Sequence, residues 1–258
     1  MQKILRGLKR VIPEKFLHRV QYIHSRSVNR WILQHHSEVL KINQKSTMVF
    51  SPHQDDETFG CGGMISLKRE QGTPVVVVFI TDGHGCGGSK PLSKDKIIEM
   101  RQQEAITALG ILGVAASEIH FLQKPDGQLQ SLQTEERKKT IAQIVQLFKT
   151  YQPEEVYVPH RKDSHADHQA TYELVKEAIN QAKITIDLLQ YAIWLFWESP
   201  LFVQLKLQYL SAAYQLSISS VQHKKTQAIA AYRSQLECLP PGFVKLFFNP
   251  NEIFFKVK

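Results

Sequence analysis

Two short polar segments hold most of the residues in this sequence that could do chemistry together. One is Ser51-Pro-His-Gln-Asp-Asp-Glu57, and the other is His160-Arg-Lys-Asp-Ser-His-Ala-Asp-His168. Two imidazoles and one carboxylate around a metal ion leave a coordination position open, which is typical of a catalytic site rather than a structural one. His53 lies three residues before Asp56, so both side chains can face one point in a tight turn. His168 can add a third ligand from the start of a helix, and the pattern therefore predicts a catalytic metal site.

Adjacent carboxylates can take separate roles in such a site. Asp55 and Asp56 point in different directions from a turning backbone, so one can bind a metal while the other faces the reacting water. The alternative is that Asp55, Asp56 and Glu57 only place negative charge at a helix N-terminus, which gains about 0.3–1 kcal/mol. His165 and His168 would then be surface residues of a loop. Because both segments follow predicted strands, chance placement of all five groups is the weaker interpretation.

An alternation of strands and helices begins at Ser46 and positions both polar segments. Residues 74–80 are an almost unbroken β-branched run, typical of a strand buried on both faces. Strands are predicted over 47–51, 74–80, 119–122, 155–158 and 252–257, and helices up to residue 71 and over 94–112, 135–151, 169–182, 200–216 and 222–234. This order predicts an α/β fold with a doubly wound, mostly parallel, Rossmann-like sheet and helices on both faces. Such open sheets bind ligands beyond the carboxyl ends of their strands.

The net positive charge of the chain comes from its N-terminal segment. The chain has 258 residues and a formal net charge of +8, and residues 1–45 carry ten lysines and arginines against Glu14 and Glu38. The remaining residues are balanced in charge. Apolar residues at helical spacing predict two basic amphipathic helices, separated at Pro13, which form an arm of residues 1–45 beside a catalytic domain of residues 46–258. The arm either packs on its own domain or lies on anionic lipid, where a polybasic face gains about 1 kcal/mol per cation.

Composition and cysteine count narrow the class of protein. With 43% hydrophobic and 22% charged residues, the chain is unlike a disordered protein, a collagen or a disulfide scaffold. The three cysteines, Cys61, Cys86 and Cys238, favour reduced thiols in a cytosolic setting, although a Cys61–Cys86 bridge stays open. The sequence predicts no secretory signal. It also has no run of the roughly 18–20 apolar residues that a membrane-spanning helix needs. We therefore expect a cytoplasmic protein, and residues 1–45 leave peripheral membrane contact open as an alternative to packing on the domain.

The polar segments resemble the signature motifs of one known family. Residues 51–63, S-P-H-Q-D-D-E-T-F-G-C-G-G, resemble the (A/S)-H-P-D-D-E signature of the LmbE/PIG-L family of zinc-dependent N-acetylglucosaminyl de-N-acetylases. H-A-D-H at 165–168 is similar to the second motif of that family, H-x-D-H. Weaker similarities lie at 80–83, at Arg101 with Glu104, and within 191–235. The resemblance covers about residues 46–236 and leaves the basic arm outside it.

The resemblance implies roles for individual residues. By position, zinc would be held by His53, Asp56 and His168, and Asp55 would be the general base. His165, in its protonated form, would stabilise the tetrahedral intermediate and its oxyanion.

Other residues are expected to take supporting roles. Arg101 falls where the family places a substrate-binding arginine, although a helix-surface cation fits the sequence equally well. Asp167 is expected to orient His165 or His168, unless it caps the helix, and Asp82 is a comparable supporting residue. Gln54 replaces the usual proline of the family, and we expect its side chain to point away from the site.

The activity implied is removal of the N-acetyl group from an N-acetylglucosamine-type sugar conjugate, soluble or lipid-linked, with release of acetate. A site of two histidines and one carboxylate can also hold Fe(II) in a non-haem enzyme, but the extra Asp55 favours hydrolysis. A third hypothesis is a membrane-surface binding protein with a vestigial site. The neutral body lacks a basic surface motif interleaved with aromatic residues, so no nucleic-acid partner is expected.

Overall fold

The computed structural model of the chain describes residues 13–86, 88, 91–198, 210 and 213–257. The strands are β1 (Ser37–Val39), β2 (Thr47–Ser51), β3 (Val75–Thr81), β4 (Ile119–Lys124), β5 (Glu155–Pro159), β6 (Asp187–Tyr191), β7 (Ala213–Ser217) and β8 (Asn251–Lys256). The α-helices are α1 (Glu14–His35), α2 (Asp56–Glu70), α3 (Lys94–Ile111), α4 (Thr134–Tyr151), α5 (Ala166–Ala182), α6 (Leu195–Glu198), α7 (Gln222–Ala231), α8 (Arg233–Leu236) and α9 (Pro241–Lys245). All eight strands form one sheet in the order β1-β7-β8-β6-β5-β2-β3-β4.

The central strands are buried on both faces, which explains their continuous apolar sequences. In β2, Met48 and Phe50 point into one apolar layer while Val49 points into the other. Helices α2, α3 and α7 cover the face of Val49, and α4 and α5 cover the opposite face. A separate small cluster joins Val28 and Ile32 of α1 to α6 and β8. The sheet is therefore the middle layer between two layers of helices, as parallel pairing requires.

The order of the strands creates a crevice at the middle of the sheet. The chain passes from β2 outward to β3 and β4, and then crosses back to β5 on the other side of β2. These neighbours are parallel, so the carboxyl ends of β2 and β5 lie side by side where the strand order reverses. Open α/β sheets bind ligands at such a switch point. The two polar segments of the sequence leave the sheet at this place.

The predicted doubly wound, mostly parallel sheet with helices on both faces is confirmed. Strand β8 runs antiparallel to both β6 and β7. The helix predicted over 200–216 is wrong at its end, because residues 213–217 form β7. Residues 200–209 and 211–212 of that predicted helix lie outside the described residues. The buried positions of β7, Ala213 and Leu216, are three residues apart, and this spacing also suits a helix. The segment forms a strand because it pairs with β1 and β8 in the sheet.

One of the two helices predicted for residues 1–45 lies within the described residues. The second arm helix is α1, which begins after Pro13 and ends at His35, and β1 follows it into the sheet beside β7. The first predicted arm helix falls in residues 1–12, outside the described residues. In the part of the chain that the structure describes, no helix is both long and apolar enough to cross a bilayer.

The cysteines differ from the expectation of reduced thiols. Cys86 and Cys238 form a disulfide, which ties the loop after β3 to the segment before α9. Cys61 is a free, buried thiol in α2. The Cys61–Cys86 bridge left open by the sequence is therefore wrong, and so is the expectation of free thiols at Cys86 and Cys238.

Candidate functional site

The predicted metal ligands lie at the carboxyl ends of β2 and β5. His53 belongs to the turn after β2, and Asp56 is the first residue of α2. His168 lies in the first turn of α5, which follows the loop after β5. All three side chains are buried, at 8%, 3% and 0% exposure. The register of β2 with β5 thus brings together residues that are more than one hundred positions apart in the sequence.

One carboxylate oxygen links the two histidines. Asp56 Oδ2 lies 3.0 Å from His53 Nδ1 and 3.2 Å from His168 Nε2. The same oxygen accepts a hydrogen bond from the His53 backbone N–H at 3.2 Å. Two ligands that each sit about 2.0–2.1 Å from one tetrahedral zinc ion are about 3.3 Å apart, so these separations suit a shared ion.

The ring of His168 gives a test of whether the residues fit a metal. Both of its ring nitrogens are fully buried, and neither makes a hydrogen bond of good geometry with a described residue. Nδ1 nevertheless lies 3.3 Å from Asp163 Oδ1, on the side away from Asp56. An imidazole that faces a carboxylate on one side and a ligand cluster on the other is the usual arrangement of a metal-binding histidine. The donor set therefore fits a metal ion.

More than one group of side chains in this region could hold an ion. Among the described residues, His53 with His165 and His168 offers nitrogens that all lie within 4.8 Å of one another. His53 with Asp126 and Asp167 forms a second group of the same kind. His53 is common to both groups, so the capacity to bind a metal is concentrated around this residue.

The electrostatics of the cluster favour positive charge between its carboxylates. Burial opposes protonation of His168, but Asp56 and Asp163 outweigh it and raise the pKa of His168 to about 9. Burial likewise opposes ionisation of Asp56, yet His168 and His53 hold the pKa of Asp56 well below its usual range. A pocket that draws a proton onto a buried imidazole offers the same carboxylates to a divalent cation.

Asp55 lies beside the linked ligands and has a different environment. Burial, and next the charge of Asp56, raise the pKa of Asp55 to about 8. Its φ of 152° is uncommon for a residue that has a side chain, and its N–H donates to Glu57 Oε2 at 3.2 Å. Glu57 is in turn held by the hydroxyl of Tyr232, which donates to Oε1 at 2.5 Å. Asp55 is thus a buried carboxylate whose pKa suits proton transfer near neutral pH.

His165 caps α5 and faces the same cavity. Its Nδ1 accepts the backbone N–H of Asp167 at 3.2 Å, so the neutral ring carries its proton on Nε2. Burial, followed by the charges of His168 and His53, lowers the pKa of His165. The capping hydrogen bond and the lowered pKa both favour the neutral ring over the protonated ring expected from the sequence. A neutral ring can still donate one hydrogen bond through Nε2.

Arg101 is a buried residue of α3 rather than a helix-surface cation. Its exposure is 3%, Nη1 donates to the carbonyl of Gly83 at 2.6 Å, and Nη2 donates to the carbonyl of Gln54 at 3.0 Å. Nη2 also lies 3.8 Å from Asp55 Oδ1. The side chain of Gln54 points away from the ligands, as expected, and donates to the Thr81 carbonyl. Arg101 therefore lies beside the carboxylate of Asp55, held by two backbone carbonyls.

The two expected supporting aspartates have other partners than the sequence suggested. Asp167 accepts backbone N–H groups of Gly127 and Leu129, and its Oδ2 lies 3.3 Å from His53 Nε2. It therefore supports His53 rather than His165 or His168, and the helix cap is His165. Asp82 contacts His84, Lys94 and the N–H of Asp126, one step removed from the metal ligands.

Sequence reasoning missed two carboxylates. Asp126 follows β4 and places Oδ1 3.2 Å from His53 Nε2. Asp163 lies within the second polar segment, and its Oδ2 accepts the three backbone N–H groups of residues 193–195 at 2.9–3.1 Å. Both follow a parallel strand at its carboxyl end, so the rule that located the histidines could have located them too.

A cavity of about 240 Å³ opens onto these groups. His53, Asp55, Arg101 and His165 form its polar side. Trp194 and Phe243 line it as well and stack on each other, with ring centroids 4.0 Å apart and planes inclined by 14°. A polar centre beside a flat aromatic wall suits a ligand with both a reactive polar group and an apolar face.

A match to a family model assigns the chain to a known protein family. Residues 48–179 match the family model described as PIG-L, GlcNAc-PI de-N-acetylase, and they make up half of the chain. The chain belongs to the PIG-L family of enzymes. This confirms the resemblance drawn from the two histidine and aspartate motifs.

Relatives of the PIG-L domain include proteins of two activities. A 4-oxalmesaconate hydratase of Pseudomonas putida is 29% identical to this chain over 141 residues. The match covers 52% of this chain and 52% of that protein, so the chain matches about half the length of this curated relative. The conserved protein TT1542 of Thermus thermophilus has a TM-score of 0.64 and 24% identity, over 82% of this chain and 94% of that one. The N,N'-diacetylchitobiose deacetylase of Pyrococcus horikoshii has a TM-score of 0.62 and 21% identity, over 90% and 92%. The two solved structures share the fold.

Proposed function

We propose that this protein is a zinc-dependent hydrolase that removes the N-acetyl group from an N-acetylglucosamine-type sugar conjugate and releases acetate. The observation that carries the proposal is the single oxygen of Asp56 beside His53 Nδ1 and His168 Nε2, next to a second buried carboxylate, Asp55. A pure metal-storage or structural site has no use for a neighbouring carboxylate with a pKa near 8. A hydrolase uses it as a base.

His53, Asp56 and His168 are the proposed metal ligands. When bound there, zinc lowers the pKa of water toward about 7 and polarises the carbonyl of an amide. Asp163 holds His168, and Asp167 and Asp126 hold His53 through its Nε2. Carboxylates behind the ligating imidazoles fix the ring orientation and make the nitrogens more basic.

Asp55, His165 and Arg101 are proposed to transfer the proton, stabilise the oxyanion and position the base. Asp55 accepts a proton as the water oxygen forms its bond to the acetamide carbon. The neutral ring of His165 donates its Nε2–H to the oxygen that becomes negative, which is the role of an oxyanion hole. The proton held by Asp55 then passes to the nitrogen as the C–N bond breaks, and acetate and a free amine result. Arg101 keeps Asp55 in place and faces the substrate from the cavity wall.

The cavity is the basis for proposing a sugar conjugate. The half-buried ring of Trp194, backed by the buried ring of Phe243, is proposed to pack against the C–H groups of a sugar ring, while Asp55 and His165 lie on the polar side. One structural neighbour is named as a deacetylase of an N-acetylated disaccharide. We extend that substrate class to this chain, with lipid-linked and soluble conjugates both within it.

Acetate release from a panel of N-acetylated amino-sugar conjugates, soluble and lipid-linked, tests the proposal. We expect release from at least one member of the panel, together with an equal amount of free amine. Metal-loaded protein that releases no acetate from any member of the panel would contradict the assignment.

Hydration is the second candidate activity, because the relative in Pseudomonas putida is a hydratase. A base beside a metal site can also add water across a carbon–carbon double bond. The two reactions separate in one assay: hydration of an unsaturated carboxylate removes its ultraviolet absorbance and releases no acetate. Turnover of such a substrate without deacetylation would replace the first proposal by this one.

The place where the protein works stays a prediction. A cytoplasmic location is expected from the sequence, whereas disulfides such as Cys86–Cys238 persist mainly in oxidising compartments. A count of the free thiols in the native protein addresses this conflict.

A further inference from the structure

The solvent face of α1 carries an apolar stripe that nothing in the described chain covers. Phe16, Val20 and Ile23 are 59%, 47% and 56% exposed, far more than large apolar side chains usually are. Their spacing of four and three residues places them on one face of the helix. Ser25, Val28 and Ile32 lie on the opposite face, which is buried against the protein body.

Cations flank this stripe on the exposed side. Arg19, Arg26 and Arg30 are exposed, and none of them forms an ion pair with a described residue. Glu14 is the single acidic residue of α1. In the sequence, residues 1–12 continue the same composition, with four cations, no acidic residue and five of the aliphatic residues Leu, Ile and Val. The charge of this face therefore complements an anionic surface.

We propose that the exposed face of α1 docks on the surface of an anionic lipid bilayer. Phe16, Val20 and Ile23 enter the boundary between headgroups and acyl chains, and the three arginines bind lipid phosphates. A helix with an apolar stripe bordered by arginine and lysine is bound this way, and apolar burial and electrostatic attraction both contribute. The inference goes beyond the hydrolase proposal and does not depend on it.

The docking face is fixed to the protein body. The ring of His18 lies 6.0 Å from that of Trp197 in α6. At Gly242 in α9, a Cβ atom would lie only 3.3 Å from both Tyr22 and Trp197, so α1 and α9 are in close contact. The neighbouring residue Phe243 lines the catalytic cavity. Lipid bound to α1 would therefore hold the whole enzyme at the membrane through the elements that form the cavity wall.

Co-sedimentation of the full-length protein with vesicles tests the inference. The vesicles are phosphatidylcholine alone, or phosphatidylcholine with phosphatidylglycerol, at about 0.1 M salt, where charges act over about 10 Å. One variant removes apolar contacts, Phe16→Ser with Ile23→Ser, and another removes charge, Arg19→Gln with Arg26→Gln and Arg30→Gln. We expect wild-type protein to bind only the anionic vesicles, and each variant to bind them about tenfold more weakly or worse.

Two control variants match these changes away from α1. Val39→Ser removes another exposed apolar side chain, and Lys138→Gln with Lys139→Gln and Lys149→Gln removes three exposed cations from α4. Both controls should bind vesicles as wild type does. Circular dichroism verifies folding, and if the arginine variant misfolds, the serine variant decides the test.

Several results would overturn the inference. The first is that wild-type protein does not co-sediment with anionic vesicles. The second is that the α1 variants bind these vesicles as wild type does, and the third is that the control variants lose as much binding as the α1 variants. Capture of RNA or DNA by the arginines without vesicle binding would instead assign the face to nucleic acid. Because the readout is binding, none of these results bears on acetate release.

Discussion

At the scale of single residues, the site places five carboxylates around two histidine rings. They are Asp55, Asp56, Asp126, Asp163 and Asp167, around His53 and His168. Four of the carboxylates contact a ring nitrogen and favour positive charge there. Asp55 instead lies 3.8 Å from Arg101, and burial together with the charge of Asp56 raises its pKa, whereas the pKa values of the other four are lowered. This contrast separates a proton acceptor from groups that hold a cation.

The role of Asp55 can be tested by a nearly isosteric change. Asp55→Asn should bind the metal as wild type does, because Asp55 is not among the proposed ligands, and should lower kcat by about 10²- to 10⁴-fold, since the base is lost. Metal analysis by mass spectrometry and initial rates of acetate release measure both quantities. Asp56→Asn is the matched control and should lose the metal. An Asp55→Asn enzyme with near-normal turnover, or one without metal, would refute the assigned role.

Asp163 supports His168 without being a ligand itself. Asp163→Asn should weaken metal binding by about 10- to 100-fold, as loss of a carboxylate behind a ligating histidine typically does. Competition with a chelating dye measures the affinity. The amide can still accept one of the hydrogen bonds from residues 193–195, so the protein should remain folded. Unchanged metal affinity would mean that Asp163 only holds the backbone of that loop.

At the scale of elements, the strands that carry the chemistry were the ones that sequence could predict. Strands β2, β3 and β5 are apolar on both faces, and each is followed by polar residues, so both their existence and the site at their ends follow from the pattern. Strand β1 has three residues and β7 has an ambiguous period, so only their partners in the sheet define them.

The partners within the site were beyond the reach of sequence for a similar reason. The Asp167 carboxylate could support any of the nearby histidines, and the choice of His53 depends on where the 127–129 backbone lies. The protonation of His165 depends on burial and on neighbouring charges, which spacing along the chain does not give. Motifs thus locate the residues, while the packing of loops assigns their contacts.

Close packing of α2 on its neighbours gives a test of the fold. A Cβ on Gly63 would collide with the side chain of Ile218, whereas a Cβ on Gly110 in α3 would meet nothing within 4 Å. Gly63→Ala should lower the free energy of unfolding by about 1–3 kcal/mol through overpacking. Gly110→Ala should raise it by about 0.5–1 kcal/mol, because alanine is the better helix former. Urea unfolding measures both, and equal effects of the two changes would contradict the packing of α2.

The disulfide makes a prediction about the loop after β3. Denatured but unreduced protein should expose one titratable thiol, from Cys61, and reduced protein should expose three. Alkylation followed by mass spectrometry of peptides identifies each cysteine. Three free thiols in protein isolated from its native host would remove the disulfide and agree with a reducing compartment.

At the scale of the whole molecule, charge and chemistry occupy different parts of the chain. The net charge of +8 comes from residues 1–45, and the rest of the chain is neutral overall. The family match covers residues 48–179 and so begins after this segment. A PIG-L domain supplies the proposed hydrolysis, and the exposed face of α1 supplies the proposed membrane contact.

The central claim is that acetate release depends on a metal held by His53, Asp56 and His168. The most direct measurement follows acetate release from an N-acetylglucosamine conjugate by one preparation as purified, after metal removal with a chelator, and after addition of zinc. We predict that activity is lost with the metal and returns with about one zinc ion per chain in wild-type protein, and that zinc restores no activity to Asp56→Asn. Deacetylation that persists in metal-free protein, or that Asp56→Asn retains, would contradict the claim.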